Sequence, residues 1–164
     1  MRVIAISVII LSAIVVFLQA RFCLANDYGE WLDRCEAHRA SVERILAEED
    51  ISTDYYYLMV AESKCTPEAE SDKGAQGPWQ LMPATARHYG CDDPHDLECA
   101  TRAAAAYIRH LEDMFNDSFA DVVIAYNMGG RNYKRMGATA EAKGLLWTVQ
   151  RIKANDERTT DNQT

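Results

Sequence analysis

The chain has 164 residues and a formal net charge of −8, with 25 acidic against 17 basic residues. This length accommodates one domain built around a single hydrophobic core. The acidic balance argues against a nucleic-acid partner, because polyanions are bound by basic patches.

Residues 1–25 are predicted to be an export signal. Arg2 precedes an apolar stretch from Val3 to Leu18, and Cys23-Leu24-Ala25 offers the small residues of a cleavage site. The alternative is an uncleaved membrane anchor, since this segment approaches the roughly 20 residues that span a bilayer. Arg21 fits poorly inside such an anchor, so we favour cleavage. The mature chain would keep 15 basic and 25 acidic residues, a net charge of −10.

Four cysteines remain after the signal is removed: Cys35, Cys65, Cys91 and Cys99. An even number in an exported chain predicts two disulfides. Three connectivities exist, and we favour Cys35–Cys65 with Cys91–Cys99, because the second pair closes a turn-rich segment that has no core of its own. Zinc binding is disfavoured, because the chain lacks a CxxC motif and regular zinc-ligand spacing.

The first part of the mature chain has helical patterns. Residues 28–48 place apolar side chains at helical spacing. Thr53 is a candidate N-cap for a second helix that runs through Tyr55 to Ala61 into Glu62. Because this run is apolar nearly all round, we expect that helix to be buried. Pro67 prevents its continuation.

The middle of the chain is predicted to be a loop followed by short helices. Residues 68–77 are polar and contain glycine, with room for a small hairpin near Ser71 to Gln76. Pro78 to Leu81 and Pro83 to Tyr89 each begin with proline, which is typical of a first helical turn. Cys99 to Phe115 has the apolar face of a long helix.

The last part is predicted to hold two further helices. Ser118-Phe119-Ala120-Asp121 resembles a capping box for a helix that Gly129-Gly130 ends. Beyond Gly144, which interrupts the pattern, apolar residues up to Ile152 indicate one more helix. The expected organisation is therefore a mostly α domain over residues 26–153 and a disordered polar tail over residues 154–164.

Several polar residues lie in apolar surroundings, where they are costly to bury without partners. Glu62 follows a buried apolar run, so desolvation would raise its carboxyl pKa and favour a general acid. The alternative is a helix-end glutamate that faces water or pairs with Lys64 or Lys73. Trp79 is suited either to stack on a sugar or to fill the core. Each feature alone favours an ordinary structural role.

The order and spacing of the motifs resemble the soluble-lytic-transglycosylase (SLT) domain family of lytic transglycosylases. The resemblance covers about residues 50–136, and the matching residues are Glu62-Ser63, Ser71, Gly74-Ala75-Gln76-Gly77, Gln80 to Thr85, and Ala125-Tyr126-Asn127 with Gly129. It implies a mainly α, lysozyme-like single domain of short helices around a sugar-binding cleft, with little or no sheet. The chain departs from the family at Pro78-Trp79, Cys65 and Gly130, which puts the subsites in doubt.

The resemblance also implies a reaction, the cleavage of the bond between N-acetylmuramic acid (MurNAc) and N-acetylglucosamine (GlcNAc) in peptidoglycan, with formation of 1,6-anhydroMurNAc. Glu62 would be the catalytic residue, first as acid and then as base. The implied substrate-binding residues are Ser71 and Tyr126 beside the reacting ring, Gln80 and Met82 on the neighbouring wall, and Asn127 supporting them from behind. No metal or other cofactor is implied. The expected location is the periplasm or cell envelope.

Two other functions stay open. A hydrolysing muramidase of the goose-lysozyme type would need a second carboxylate to position water, and the nearest candidates are Glu68, Glu70 and Asp72. A non-catalytic peptidoglycan-binding component of a secretion apparatus is the alternative outside enzymes. If the chain is an enzyme, its expected partners are glycan strands and proteins of a secretion, conjugation or pilus machine.

Overall fold

A computed structural model describes residues 28–161, so the predicted export signal lies outside the described part of the chain. The helices are α1 (residues 28–48), α2 (Tyr56–Ser63), α3 (Pro83–His88), α4 (Leu97–Phe115), α5 (Phe119–Met128), α6 (Gly130–Met136) and α7 (Ala140–Asp161). β-Structure among these residues is limited to the isolated bridges Glu70–Gln76 and Gln76–Leu81. The mainly α fold class is confirmed. Between residues 28 and 161, no helix is both long and apolar enough to cross a bilayer.

Helix α5 lies at the centre of the domain, because it packs against α4, α6 and α7. Its residues Val122 to Tyr126 are all buried. The predicted cap is confirmed, since the Ser118 hydroxyl accepts a hydrogen bond from the backbone N–H of Asp121. A buried central helix that begins at a fixed cap holds its C-terminal residues, including Tyr126, in a fixed position.

Helix α2 is the second buried helix, and it packs against α7. A 3₁₀ turn, Thr53–Tyr55, precedes it, and Ser52 rather than Thr53 supplies the capping hydroxyl, which accepts from the Asp54 N–H. The helix ends where Lys64 and Cys65 both adopt positive φ. The first of the two disulfides, Cys35–Cys65, joins α1 to this end of α2. The second, Cys91–Cys99, joins the segment after α3 to the first turn of α4, so both favoured pairings are present.

The prediction of a disordered tail is wrong for residues 154–161, which continue helix α7. The same helix passes through Gly144 without a break. Asp156 is buried, forms a 2.7 Å ion pair with Arg39 of α1 and accepts a 2.7 Å hydrogen bond from the Tyr57 hydroxyl of α2. The end of α7 is therefore ordered by polar partners on two helices that lie far away in the sequence.

Two further elements differ from the sequence prediction. Residues 77–80 form a turn rather than a short helix, because Gln80 adopts a positive φ of 48° and its N–H donates to the Gly77 carbonyl. The Gly129-Gly130 pair ends α5 as predicted, but Gly130 also begins α6. The predicted helix after Pro83 is confirmed, with proline in its first turn.

The loop between α2 and α3 packs tightly against the segment that leads to α4. At Gly77, φ is +74°, and a Cβ there would lie 1.7 Å from the Pro94 carbonyl oxygen. Only a residue without a side chain permits this approach together with a left-handed backbone. Gly77 therefore fixes how closely the loop approaches the rest of the domain.

Replacing Gly77 with alanine is expected to destabilise the domain. Overpacking costs about 1–3 kcal/mol, and a left-handed residue with a Cβ costs about 1–2 kcal/mol. Gly74→Ala is the matched control, because Gly74 has φ of +81° but no atom within 4 Å of the added Cβ. In urea denaturation, Gly77→Ala should lower the unfolding midpoint clearly more than Gly74→Ala. Equal midpoints would contradict the close packing against Pro94.

Candidate active site

A cavity of about 510 Å³ opens beside the C-terminal end of α2. All six residues that were predicted to bind or cleave the substrate line it, namely Glu62, Ser71, Gln80, Met82, Tyr126 and Asn127. They come from α2, the following loop and α5, which are separate in sequence. The structure thus brings the predicted site residues together.

Glu62 reaches the cavity from the last turn of α2. The residues before it, Tyr56 to Val60, are all buried, so the helix itself is held in the core. Two lysines that were candidates to neutralise Glu62 are engaged elsewhere. Lys73 pairs with Glu141, and the ammonium of Lys64 lies 4.3 Å from the ring centroid of Trp31.

The loop that faces Glu62 is held by its own hydrogen bonds. The Ser71 hydroxyl accepts a 3.0 Å hydrogen bond from the Ala75 N–H, and the Ser71 N–H donates to the Ala75 carbonyl at 2.9 Å. The amide nitrogen of Gln80 donates to the carbonyls of Ala69 and Gly77. The Gln80 side chain therefore braces the loop as well as lining the cavity.

Tyr126 connects α5 to this loop. Its hydroxyl donates a 2.8 Å hydrogen bond to the Trp79 carbonyl, and its ring lies 5.3 Å from that of Tyr107. Burial, followed by the nearby charge of Glu62, raises the pKa of the Tyr126 hydroxyl well above its ordinary value. Tyr126 therefore stays protonated and serves as a hydrogen-bond donor at neutral pH.

Trp79 and Asn127 differ in how they relate to the cavity. Trp79 is fully buried, and its indole N–H donates to the Thr101 hydroxyl at 2.9 Å, so it fills the core and does not stack on a ligand. Asn127 is exposed and lines the cavity itself. Asn127 thus lies on the cavity wall, and its supporting role stays a prediction.

The family profile described as "Transglycosylase SLT domain" matches residues 45–145, more than half of the chain. The chain belongs to this family. It is 33% identical over 93 residues to proteins named "Membrane-bound lytic murein transglycosylase D" from Escherichia coli strain K12 and from Escherichia coli O6:H1 strain CFT073. These matches cover 53% of this chain and 21% of each relative, so the chain spans about a fifth of their length.

Glu62 is the acid of this SLT domain that the protein environment perturbs most clearly toward the neutral form. Burial, followed by repulsion from Glu141, raises its pKa to about 7. A carboxyl with this pKa is about half protonated at neutral pH, so it can donate a proton and later accept one. Because Glu62 lines the cavity, it can exchange this proton with a ligand bound there.

Glu141 is a site residue of the SLT domain that the sequence did not reveal. It lies in the first turn of α7, and both of its carboxylate oxygens contact the Lys73 ammonium, at 2.8 and 3.2 Å. Lys73 and Asp72, from the loop after α2, line the same cavity. An acid at a helix start is commonplace in a sequence, so only the fold shows that Glu141 faces Glu62 across the site.

Replacing Glu62 with glutamine is expected to stabilise the SLT domain at pH 8 and to have little effect at pH 4. The pKa of Glu62 is about 7 in the folded chain and close to its ordinary value of 4.5 in the unfolded chain. The folded state therefore binds more protons between these values, and the wild type loses stability as the pH rises through this window. Glutamine is neutral throughout. Urea unfolding midpoints of both proteins at each pH measure the difference.

Glu48→Gln is the control with the opposite sign. Hydrogen bonds from Arg44 and then Arg102 lower the pKa of Glu48, so its contribution to stability is present at pH 8 and is lost as the pH falls through its folded pKa. This variant should therefore be less stable than the wild type at pH 8. A pH-independent effect of Glu62→Gln would contradict a desolvated Glu62 carboxyl.

Proposed function

We propose that this SLT domain is a peptidoglycan lytic transglycosylase. It would cleave the β-1,4 bond between MurNAc and GlcNAc and leave a 1,6-anhydroMurNAc end. The observation that carries the proposal is Glu62, a carboxyl with a pKa of about 7 on the wall of the 510 Å³ cavity. The family membership and the printed name of the E. coli relatives support the same substrate class.

The proposed reaction uses Glu62 twice. As an acid it gives its proton to the glycosidic oxygen, and GlcNAc departs with that proton as a free hydroxyl. The 2-acetamido oxygen of MurNAc stabilises the electron-poor anomeric carbon, as in glycosidases that work without a second catalytic carboxylate. The Glu62 carboxylate then accepts the proton of the C6 hydroxyl, and that oxygen bonds to the anomeric carbon. No water is consumed, and Glu62 ends protonated as it began.

The other cavity residues have proposed positioning roles. Tyr126 and Ser71 would flank the reacting ring, and Met82 and Asn127 would contact the sugar at the cavity mouth, since both are exposed there. Gln80 would act mainly by holding the loop, because its amide nitrogen already donates to two carbonyls. No residue in this account needs a bound metal or cofactor.

Hydrolysis by a muramidase-type mechanism is the second candidate, because two further acids, Asp72 and Glu141, line the cavity. A base in such a mechanism must have a carboxylate oxygen available to a water molecule. Both oxygens of Glu141 contact the Lys73 ammonium, which leaves Asp72, exposed on the loop, as the acid that could hold such a water. The transglycosylase reaction needs no second carboxylate, and the products distinguish the two reactions.

The products from purified peptidoglycan should establish the reaction. We expect soluble muropeptides that end in 1,6-anhydroMurNAc, with a summed mass equal to that of the substrate. Hydrolysis would give products one water heavier and would contradict the proposal. Binding without release of any soluble fragment would indicate the non-catalytic alternative. Mass spectrometry of the soluble fraction separates the three outcomes.

Glu62→Gln should abolish turnover while it retains binding. General acid–base catalysis contributes about 10²- to 10⁴-fold, so kcat should fall at least about 100-fold. Glu68→Gln is the control, because Glu68 is an exposed loop acid that does not line the cavity. Equal activity of the two variants would exclude Glu62 as the catalytic residue.

We further propose that the enzyme acts in the periplasm or cell envelope and opens the wall locally for a secretion, conjugation or pilus machine. A chain with a net charge of −8 is not attracted to an anionic wall in bulk, so a specific location or partner would bring it there. Deletion of the gene should impair assembly of one such machine, and Glu62→Gln should fail to restore it. Normal assembly of every such machine would contradict this specialisation.

A further inference from the structure

A second depression, which we call the cationic groove, continues from the catalytic cavity. The two share Thr85, Tyr107 and Gly129 along their walls. The groove has a volume of about 990 Å³ and lies where α3, α4 and α6 meet. Because a cavity of this size is at the upper end of those that hold a drug-sized ligand, it can accept a sizeable part of a polymer that passes Glu62.

The groove is lined by nitrogen donors and lacks acidic side chains. His88, His110 and Arg131 line it, and no aspartate or glutamate does. All three are exposed, and none forms an ion pair within residues 28–161. In a chain of net charge −8, three unpaired nitrogen donors in one groove mark a place for an anion.

A row of aromatic rings runs from the catalytic cavity to His88, one of these donors. The ring centroids of Tyr126 and Tyr107 are 5.3 Å apart, those of Tyr107 and Tyr89 are 5.5 Å apart, and those of Tyr89 and His88 are 4.8 Å apart. Tyr107 lines both depressions, so a ligand that enters at Glu62 can extend past this ring into the groove. Its anionic groups would reach the histidines and the arginine at the far end.

We propose that the cationic groove binds the carboxylates of the acidic stem peptide that branches from MurNAc. The proposal rests on the proposed function and adds to it a site for the non-sugar part of the substrate. Stem peptides carry the carboxylates of the polymer, whereas the backbone GlcNAc units carry none. The guanidinium of Arg131 matches a carboxylate in planar geometry, and the imidazoles of His88 and His110 add N–H donors.

Binding to the inactive Glu62→Gln protein tests this proposal without dependence on turnover. The two probes are soluble glycan strands with intact stem peptides and the same strands after an amidase has removed the stems and the lactyl carboxylates so exposed have been converted to methylamides. Titration calorimetry should show tighter binding of the strands with stems. Adding His110→Gln and Arg131→Gln should weaken that binding at least about tenfold, since a hydrogen bond to a charged group contributes about 1.5–3 kcal/mol. Binding of stripped strands should not change.

Arg87→Gln with Arg109→Gln is the matched control. These arginines are exposed neighbours of His88 and His110 on α3 and α4, but neither lines the groove. The control removes two positive charges from α3 and α4, close to the groove but outside its lining, so it reveals any effect of net charge alone. It should leave binding of both strands unchanged.

Four results would overturn the groove proposal. Equal weakening for both strands would make the groove a sugar subsite, and no change for either strand would show that the substrate does not reach it. An equal loss of affinity in the Arg87→Gln, Arg109→Gln control would show that the effect comes from net charge and not from the groove. If Glu62→Gln bound neither strand and the wild type released no anhydro products, the proposed function itself would fail. Anhydro products from the wild type with no preference for stems would refute the groove proposal alone.

Discussion

The desolvation of one carboxyl at the end of a buried helix is the constraint on which the site depends. Helix α2 lies in the core because its side chains are apolar nearly all round, and Glu62 follows them within the last turn. The fold therefore places an acid among protein atoms with no cation paired to it between residues 28 and 161, and its pKa rises to about 7. Helix packing, rather than any special partner, makes Glu62 suited to donate and accept protons near neutral pH.

The rest of the domain positions a cavity around that carboxyl. Helix α5 brings Tyr126, whose hydrogen bond to the Trp79 carbonyl ties the central helix to the loop after α2. Trp79 is anchored in turn by Thr101 of α4. The same aromatic contacts continue through Tyr107 toward α3, so the catalytic cavity and the cationic groove share one wall. Binding of a long, branched polymer would thus use elements that the core already holds in place.

The sequence predicted the features that depend on neighbouring residues. It missed the features that depend on contacts between residues far apart in the chain. The capped start of α5 and the apolar run of α2 follow from neighbouring residues. The turn at Gln80 depends on hydrogen bonds to Ala69 and Gly77, and the order of residues 154–161 depends on Arg39 and Tyr57 meeting Asp156. The six cavity residues could be named because their motifs resemble a known family. Glu141 and the groove residues His88, His110 and Arg131 could not, because these surface residues come together only when separate helices meet.

Direct titration of the Glu62 side chain tests the central claim. With ¹³C-labelled glutamate and the Glu62→Gln protein to assign the signal, NMR gives the midpoint for this one carboxyl. We predict a midpoint near pH 7, because burial is the main cause that raises the pKa of Glu62. A midpoint close to that of a free glutamate, about 4.3, would show that the carboxyl is solvated and would contradict its proposed role as the general acid.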